Sequence, residues 1–274
     1  MQEVLKFLPP QYQVAQDPDF SYAYHDVIVV YDSASLNMVS CKHHQTFDRF
    51  EKGDLCQVDF AIKNTTETLT VFCCHLKARP SNAAYTSMYR QAVCDNLQTF
   101  IWKMHNGDKV ADQALRAKTN EEKPNQLVLD KNIVLMGDFN DEPFSPSIID
   151  YLGASYDKTH VQNQKNIRRV ILYNCSWEGL REAKPGSYYY PAAPVSDWSM
   201  LDQIMVSPSL VLPQSKLKYV ENSFKVLSKY SAKEDGTPFA VYSEDENEKV
   251  IWQPGYSDHF PVLAEIKLEV NNGR

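Results

Sequence analysis

Carboxylate and amide side chains are grouped in the stretch VLMGDFNDEP, residues 134–143. The apolar run ends at Gly137, after which Asp138 and Asn140 alternate to one side of an extended chain and Phe139 to the other. Two oxygen-bearing side chains on one side can face a single cation or water molecule. The same pattern fits an Asx-turn that closes a strand before a helix, so this stretch alone leaves both interpretations open.

A second polar group precedes the last apolar segment, in GYSDHFPVLAEI, residues 255–266. Asp258 and His259 stand where a terminal strand would begin. Because histidine titrates near neutral pH, beside a carboxylate it suits proton transfer or contact with an oxyanion. A simple turn at Ser257-Asp258 is the alternative.

A third carboxylate, Asp202, interrupts the apolar strand pattern WSMLDQIMVS, residues 198–207. A buried carboxylate is costly unless it is paired. Histidine is a natural partner, since an aspartate that accepts the Nδ1–H fixes the tautomer of the ring. The alternative is an aspartate that faces solvent from an antiparallel strand.

The fourth group is VFCCHLKAR, residues 71–79, where His75 ends a strand and is followed by Lys77 and Arg79. These side chains suit contact with a phosphate. Cys73, Cys74 and His75 do not form a zinc triad, because successive residues of a strand point to opposite faces. All four groups lie at strand ends, and together they predict one site.

The elements that must position these groups are strands with interspersed helices. Periodicity predicts a β-hairpin from 55–62 and 69–76, a helix over 82–105 that ends at Asn106-Gly107, and a polar surface excursion over 107–131. Further strands are predicted at 25–31, 132–140, 186–190, 200–207 and 259–268, with a short helix at 145–153 and a loop at 231–249. The pair His43-His44 fits a solvated loop better than a metal site. This order favours a layered α/β sandwich with largely antiparallel or mixed sheets.

Composition excludes some classes of protein. The 274 residues carry a net charge of −7 and a sequence pI near 5.5, which argues against a broad basic surface for nucleic acid. A phosphate could still be met through a bound metal and a few local cations. The six scattered cysteines favour a reduced, cytoplasmic protein and leave secretion open. No apolar run is long enough to span a bilayer.

Taken in order, the segments HLKAR, GDFN, LDQI and SDH resemble the endonuclease/exonuclease/phosphatase superfamily, the metal-dependent phosphodiesterases of the pancreatic deoxyribonuclease type. The resemblance covers roughly residues 1–268. It implies a four-layered α/β sandwich with two mixed β-sheets packed face to face and helices outside, in a single domain over residues 1–274.

The resemblance also implies a metal site. The family's metal-binding glutamate stands in a Gln-Glu pair after an apolar strand, and here that pair is Gln2-Glu3. Glu3 would ligate Mg²⁺, for which Mn²⁺ could substitute, and Asp258 would contribute directly or through water.

The remaining roles follow in the same way. Asp138 and Asn140 would position and activate the attacking water, and His75 would bind the phosphoryl oxygens. His259, oriented by Asp202, would serve as general base or phosphate contact.

Members of the family begin with a strand that bears an asparagine and with a helix, both ahead of the metal-binding glutamate. The present sequence starts at that glutamate. We therefore expect a sandwich that lacks the N-terminal strand and helix, either through truncation or in a degenerate member.

Three functions are left open. The first is a Mg²⁺-dependent phosphodiesterase or nuclease that acts as a monomer on nucleic acid or a nucleotide. The second is a phosphatase or a lipid or nucleotide phosphodiesterase of the same superfamily, since a fold does not choose a substrate. The third is a catalytically silent member that binds a partner, although six of the implied site residues are present.

Overall fold

The computed structural model describes residues 6–19, 27–44, 54–79, 83–116, 129–164, 169–182, 184–190, 197–229, 232–240, 242–244, 250–252 and 255–269. Two α-helices lie in these ranges, α1 (Ala83–Arg116) and α2 (Lys158–Gln162). A π-helical turn spans Ser147–Tyr151, and 3₁₀ turns span Cys175–Arg181 and Pro208–Leu210.

The strands in the described part of the chain are short on average. They are β1 (Tyr12–Val14), β2 (Val30–Asp32), β3 (Leu36–His44), β4 (Asp54–Ile62), β5 (Thr68–His75), β6 (Ile133–Asp138), β7 (Ala154–Ser155), β8 (Leu172–Asn174), β9 (Tyr188–Tyr190), β10 (Asp197–Ser199), β11 (Asp202–Val206), β12 (Leu217–Tyr219), β13 (Lys225–Val226), β14 (Tyr242–Glu244), β15 (Val250–Trp252), β16 (Val262–Leu263) and β17 (Ile266–Leu268).

The central element is a seven-stranded mixed sheet in the order β3-β4-β5-β6-β11-β8-β7. The pairs β5–β6 and β7–β8 are parallel, and the other neighbours are antiparallel. Strands β12 and β17 pair with each other, as do β13 and β16, in separate two-stranded sheets. The predicted mixed α/β sandwich is therefore confirmed.

The two faces of the central sheet pack against different partners. On one face, Phe72 and Leu135 join Leu97 and Ile101 of α1 in one apolar core. On the other face, a second core contains Val58 and Val206 together with side chains from the β12–β17 and β13–β16 pairs. The sheet thus lies between a helical layer and a second β layer, and the ends of its strands stay open for a site.

Several predicted elements hold in position, although their strands are shorter than predicted in three cases. The hairpin is formed by β4 and β5, and the strand that ends at the GDFN stretch is β6. The predicted strands at 186–190 and 200–207 correspond to β9 and β11.

Other boundaries were wrong. The helix continues through Asn106-Gly107 to Arg116, so the first part of the predicted surface excursion is helical. The predicted loop at His43-His44 is the end of β3, and the predicted terminal strand is divided into β16 and β17. A glycine costs a helix only about 1 kcal/mol, and packing upstream can offset that cost.

No helix in the described part of the chain is both long and apolar enough to cross a membrane.

Candidate active site

Three predicted site residues form a row across the central sheet. His75 is the register partner of Asp138 in the parallel pair β5–β6, and Asp138 is the partner of Asp202 in the antiparallel pair β6–β11. Parallel β5 and β6 end at the same edge, and β11 runs the opposite way and begins there. The register therefore brings together side chains that lie far apart in the sequence. His75 Nε2 is 3.6 Å from Asp138 Oδ2.

The chain around Asp138 is fixed by close backbone approach and by hydrogen bonds. Gly137 has φ 140°, and a Cβ there would lie 1.9 Å from the carbonyl oxygen of Cys74. Only glycine fits this position without moving β5. Beyond it, Asn140 has φ 50° and donates its backbone N–H to Asp138 Oδ1 over 2.8 Å.

The side chain of Asn140 has two acceptors. Its Nδ2 donates to the carbonyl oxygen of Leu76 over 2.8 Å and to Asp138 Oδ2 over 3.0 Å. Asn140 thus holds one carboxylate in place and also ties the GDFN turn to the residue that follows His75. The turn is an Asx-turn and part of the cluster at once, so the two interpretations of this stretch are compatible.

Asp202 and His259 are paired directly. Oδ2 of Asp202 lies 2.6 Å from Nδ1 of His259, and the backbone N–H of Asp202 donates to Oγ of Ser187 over 3.1 Å. An antiparallel bridge joins His259 to Tyr188, and their rings lie 4.8 Å apart. The segment before β16 is thereby held against β9, and the imidazole is directed at the sheet edge.

Negative charge dominates this cluster. Burial lowers the pKa of His259, but the hydrogen bond and charge of Asp202, with the charges of Asp138 and Asp258, raise it to about 9. Burial and the charge of Asp202 raise the pKa of Asp138, against the lowering effects of His259, Asn140 and His75. A buried carboxylate whose ionisation is disfavoured by burial and by a facing carboxylate marks a place where a cation would be stabilised.

Ligand atoms of Asp138, Asp202 and His259 all lie within 4.8 Å of one another. Asp258, predicted as a metal ligand, lines the same cleft one residue before His259. Glu3, the other predicted metal ligand, lies outside the described residues. Carboxylate oxygens are the donors that a hard divalent cation prefers, so this donor set fits such an ion.

The cluster lies in a cleft of about 1090 Å³. Arg79 lines it together with Tyr188 and Tyr190, and an apolar wall is formed by Val27 and Ile28. Nη2 of Arg79 is 3.4 Å from Oγ of Ser199.

Several residues that support the cluster were not found from the sequence. Arg90 of α1 forms a buried ion pair with Asp141, and its Nη1 donates to the carbonyl oxygen of Lys77 over 3.0 Å. Oε2 of Glu142 accepts the N–H of Met200 over 3.0 Å. The sequence shows Asp138, Asp141 and Glu142 as one group of carboxylates. Which of them face the site and which support the fold depends on contacts with α1 and with the residues before β11.

Comparison with known proteins agrees with this architecture. The model of the Endonuclease/Exonuclease/phosphatase family matches residues 105–268, which is more than half of the chain. The chain belongs to this family. The predicted class, a phosphoric ester hydrolase of the endonuclease/exonuclease/phosphatase type, is thereby confirmed. No curated protein matches the sequence significantly.

Solved structures show the same fold at low identity. A mannosyl-6-phosphatase of Bacteroides thetaiotaomicron is 17% identical with a TM-score of 0.52, over 94% of this chain and 78% of that one. TDP2 of D. rerio, complexed with a single-strand DNA product, is 12% identical with a TM-score of 0.52, over 97% of this chain and 81% of that one. An endonuclease/exonuclease/phosphatase family protein of Bacteroides thetaiotaomicron is 16% identical with a TM-score of 0.50, over 89% and 70%.

Proposed function

We propose that this protein is a Mg²⁺-dependent phosphodiesterase, with a nucleotide or a short nucleic acid strand as substrate, and that residues 1–274 form its single domain. The observation that carries the proposal is the row His75–Asp138–Asp202 with His259 bonded to its last member. Two histidines thus flank two carboxylates at one edge of the sheet. Phosphate chemistry needs this combination of cation-binding and oxyanion-binding groups.

The carboxylates of the cleft are suitable ligands for Mg²⁺, which prefers oxygen donors. Asp258 and Glu3 are the ligands we propose for Mg²⁺, next to the Asp138 carboxylate, whose pKa is raised by burial and by the charge of Asp202. A bound Mg²⁺ supplies charge neutralisation at the phosphoryl oxygens, and Mn²⁺ with similar ligand preferences could replace it.

Each residue has a distinct task in the hydrolysis. Asp138, held by the N–H and Nδ2 groups of Asn140, accepts a hydrogen bond from the attacking water and orients it. His259, whose pKa of about 9 keeps it protonated at neutral pH before a cation binds, offers its Nε2–H to a phosphoryl oxygen. Asp202 fixes the ring and stabilises its positive charge. His75 contacts the phosphate from the other side of Asp138.

The cleft favours a substrate with an extended, partly apolar body. Its volume of about 1090 Å³ is larger than a single sugar phosphate needs. Tyr190 is half exposed at the rim, and tyrosine rings can stack on bases. TDP2 was solved with single-strand DNA, which is consistent with such a substrate in this fold.

A small phosphate monoester is the second candidate. Among the described residues that line the cleft, Arg79 is the single lysine or arginine, whereas strands of nucleic acid are bound by several such side chains. The mannosyl-6-phosphatase with the same fold is consistent with this substrate class.

The test is hydrolysis by the purified chain of a matched pair, bis(p-nitrophenyl) phosphate and p-nitrophenyl phosphate, followed by DNA and RNA oligonucleotides. We expect cleavage of the diesters that requires Mg²⁺, stops with EDTA and is lost in His259→Ala and Asp138→Asn. His160→Ala, an exposed histidine outside the cleft, is the control. Preference for the monoester would assign the second function. Absence of metal-dependent cleavage of any phosphate ester would overturn both.

A further inference from the structure

A second group of side chains that could bind a metal ion lies on β3 and β4, at the other side of β5 from the strand that carries Asp138. Cys41 and His43 share one face of β3, and Cys56 of β4 is the register partner of His43. All three residues are buried, and one ligand atom from each lies within 4.8 Å of the others. This group could not be predicted from the sequence, because Cys41 and His43 meet Cys56 only through strand pairing. Their spacing along the chain matches no common zinc-ligand motif.

The distance between the two sulfurs suits a shared metal ion. The Sγ atoms of Cys41 and Cys56 are 3.7 Å apart. With zinc–sulfur bonds of about 2.3 Å and tetrahedral angles, two sulfur ligands lie about 3.8 Å apart. A disulfide needs a separation of about 2.05 Å and therefore a movement of the side chains. The existing spacing fits coordination without that movement.

A carboxylate orients the histidine. Oδ2 of Asp17 accepts the backbone N–H of His43 over 2.8 Å and lies 3.4 Å from Nδ1 of its ring. The His43 and Asp17 side chains are 2% and 7% exposed. A carboxylate against one ring nitrogen is the usual support for a histidine that binds metal through the other nitrogen. Burial of such a pair beside an apolar core costs free energy, which a bound cation would offset.

We propose that Cys41, Cys56 and His43 bind one Zn²⁺ ion as a structural site. Each thiol that binds loses its proton to solvent and no electrons are transferred, so the step needs no oxidant. The ion would join β3 to β4 and, through Asp17, hold the segment that follows β1 against the sheet.

The first experiment measures metal on the whole chain, purified under reducing conditions. We expect one tightly held zinc per chain, which remains after Mg²⁺ is removed by dialysis. Replacement by Co²⁺ should give a near-ultraviolet thiolate-to-cobalt charge-transfer band. The band should disappear in Cys41→Ala and Cys56→Ala and persist in Cys94→Ala, a fully buried cysteine of the other core. Asp138, Asp202 and His259 offer only oxygen and nitrogen donors, so Co²⁺ bound by these three residues gives no such band.

The second experiment needs no variant and so does not depend on their folding. X-ray absorption at the zinc edge of the wild-type protein should show sulfur neighbours at about 2.3 Å. A first shell of oxygen and nitrogen alone would overturn the proposal, as would a protein that binds neither zinc nor cobalt with thiolate character. Retention of the cobalt band in a folded Cys41→Ala or Cys56→Ala variant would also overturn it.

Discussion

Nδ1 of His259 lies 2.6 Å from Oδ2 of Asp202, although 57 residues separate them along the chain. The contact joins the central sheet to the segment that leads into β16. Because Asp138 and Asp258 add further negative charge, the imidazolium form is strongly favoured before a cation binds. The charge of one histidine is therefore a sensitive probe of the whole cluster.

In the metal-free protein His259 should titrate far above the ordinary range of a histidine. We expect the pKa of His259 to be about 9 and to fall in Asp202→Asn, which removes the largest of the effects that raise it. NMR titration of the imidazole signals, assigned with His259→Gln, measures both values. A wild-type value at or below 6.5 would show that the carboxylates do not act as described.

The same pKa predicts how stability depends on pH. A group whose pKa is raised on folding, from 6.5 to about 9, stabilises the folded protein fully below pH 6.5, and the effect is lost as pH rises through 9. Wild type should therefore exceed Asp202→Asn in its free energy of unfolding most at pH 6, by about 3 kcal/mol at most, and the gap should narrow by pH 10. Urea unfolding of both proteins at several pH values tests this. A gap that widens with pH would contradict it.

Asp202 and His259 should also act as one unit in hydrolysis. His259→Ala should lower kcat/KM by about 10²–10³, the range for loss of one donor that stabilises a developing oxyanion. Asp202→Asn should have an effect of similar order, since the ring loses its orientation. The double variant should show a kcat/KM only slightly lower than that of the more impaired single variant. Effects that multiply would show that the two side chains act separately.

How much of this site could be predicted depends on the kind of contact. Each of the three residues in the row stands at one end of an apolar strand segment, and the pairing register of the strands aligns them: His75, Asp138 and Asp202. A pattern of apolar runs that stop at polar residues carries that information. The same pattern predicts that His259 lies near them. Its hydrogen bond to Asp202 depends on how the chain between the two residues folds back, which the pattern does not show.

The residues that the sequence did not reveal act between elements. Arg90 has an ordinary place in a helical pattern, and its role appears only when α1 packs beneath the turn that carries Asp141. The predicted loop at His43-His44 is the end of β3, where strand alternation buries His43 and leaves His44 on the other face. When both faces of a strand are covered, the alternation of polar and apolar residues does not show which face packs against which core.

Gly137 should be irreplaceable for a reason of backbone distance. In Gly137→Ala the new Cβ would lie 1.9 Å from the carbonyl oxygen of Cys74, so β5 and β6 must separate just beside Asp138. We expect a loss of more than about 4 kcal/mol in the free energy of unfolding. Gly153→Ala is the control, because φ is positive there also, at 77°, but the nearest atom is the end of the Gln98 side chain at 3.0 Å. Equal losses in the two variants would show that backbone strain, and not the approach to Cys74, sets the cost.

Arg90 should be essential for stability although it lies outside the cleft. Its Nε is 2.7 Å from Oδ2 of Asp141, with both side chains largely buried, and Asp141 Oδ2 also accepts the hydroxyl of Ser147 over 2.6 Å. Arg90→Gln would leave a buried carboxylate without its cation, which costs about 3–5 kcal/mol. Lys158→Gln is the matched control, because its partner Glu221 lies 2.9 Å away at the surface, where loss of a pair costs less than about 1 kcal/mol.

The double variant Arg90→Gln/Asp141→Asn separates the cost of the lost pair from that of the stranded charge. It should recover part of the stability lost in Arg90→Gln, because no charge then remains buried alone. Activity should recover less, since Arg90 also holds the carbonyl oxygen of Lys77, two residues beyond His75. Urea unfolding and kcat, measured on the same preparations, distinguish the two effects. Full recovery of kcat with stability would limit Arg90 to a structural role, whereas a residual deficit would assign it the positioning of the segment that carries His75.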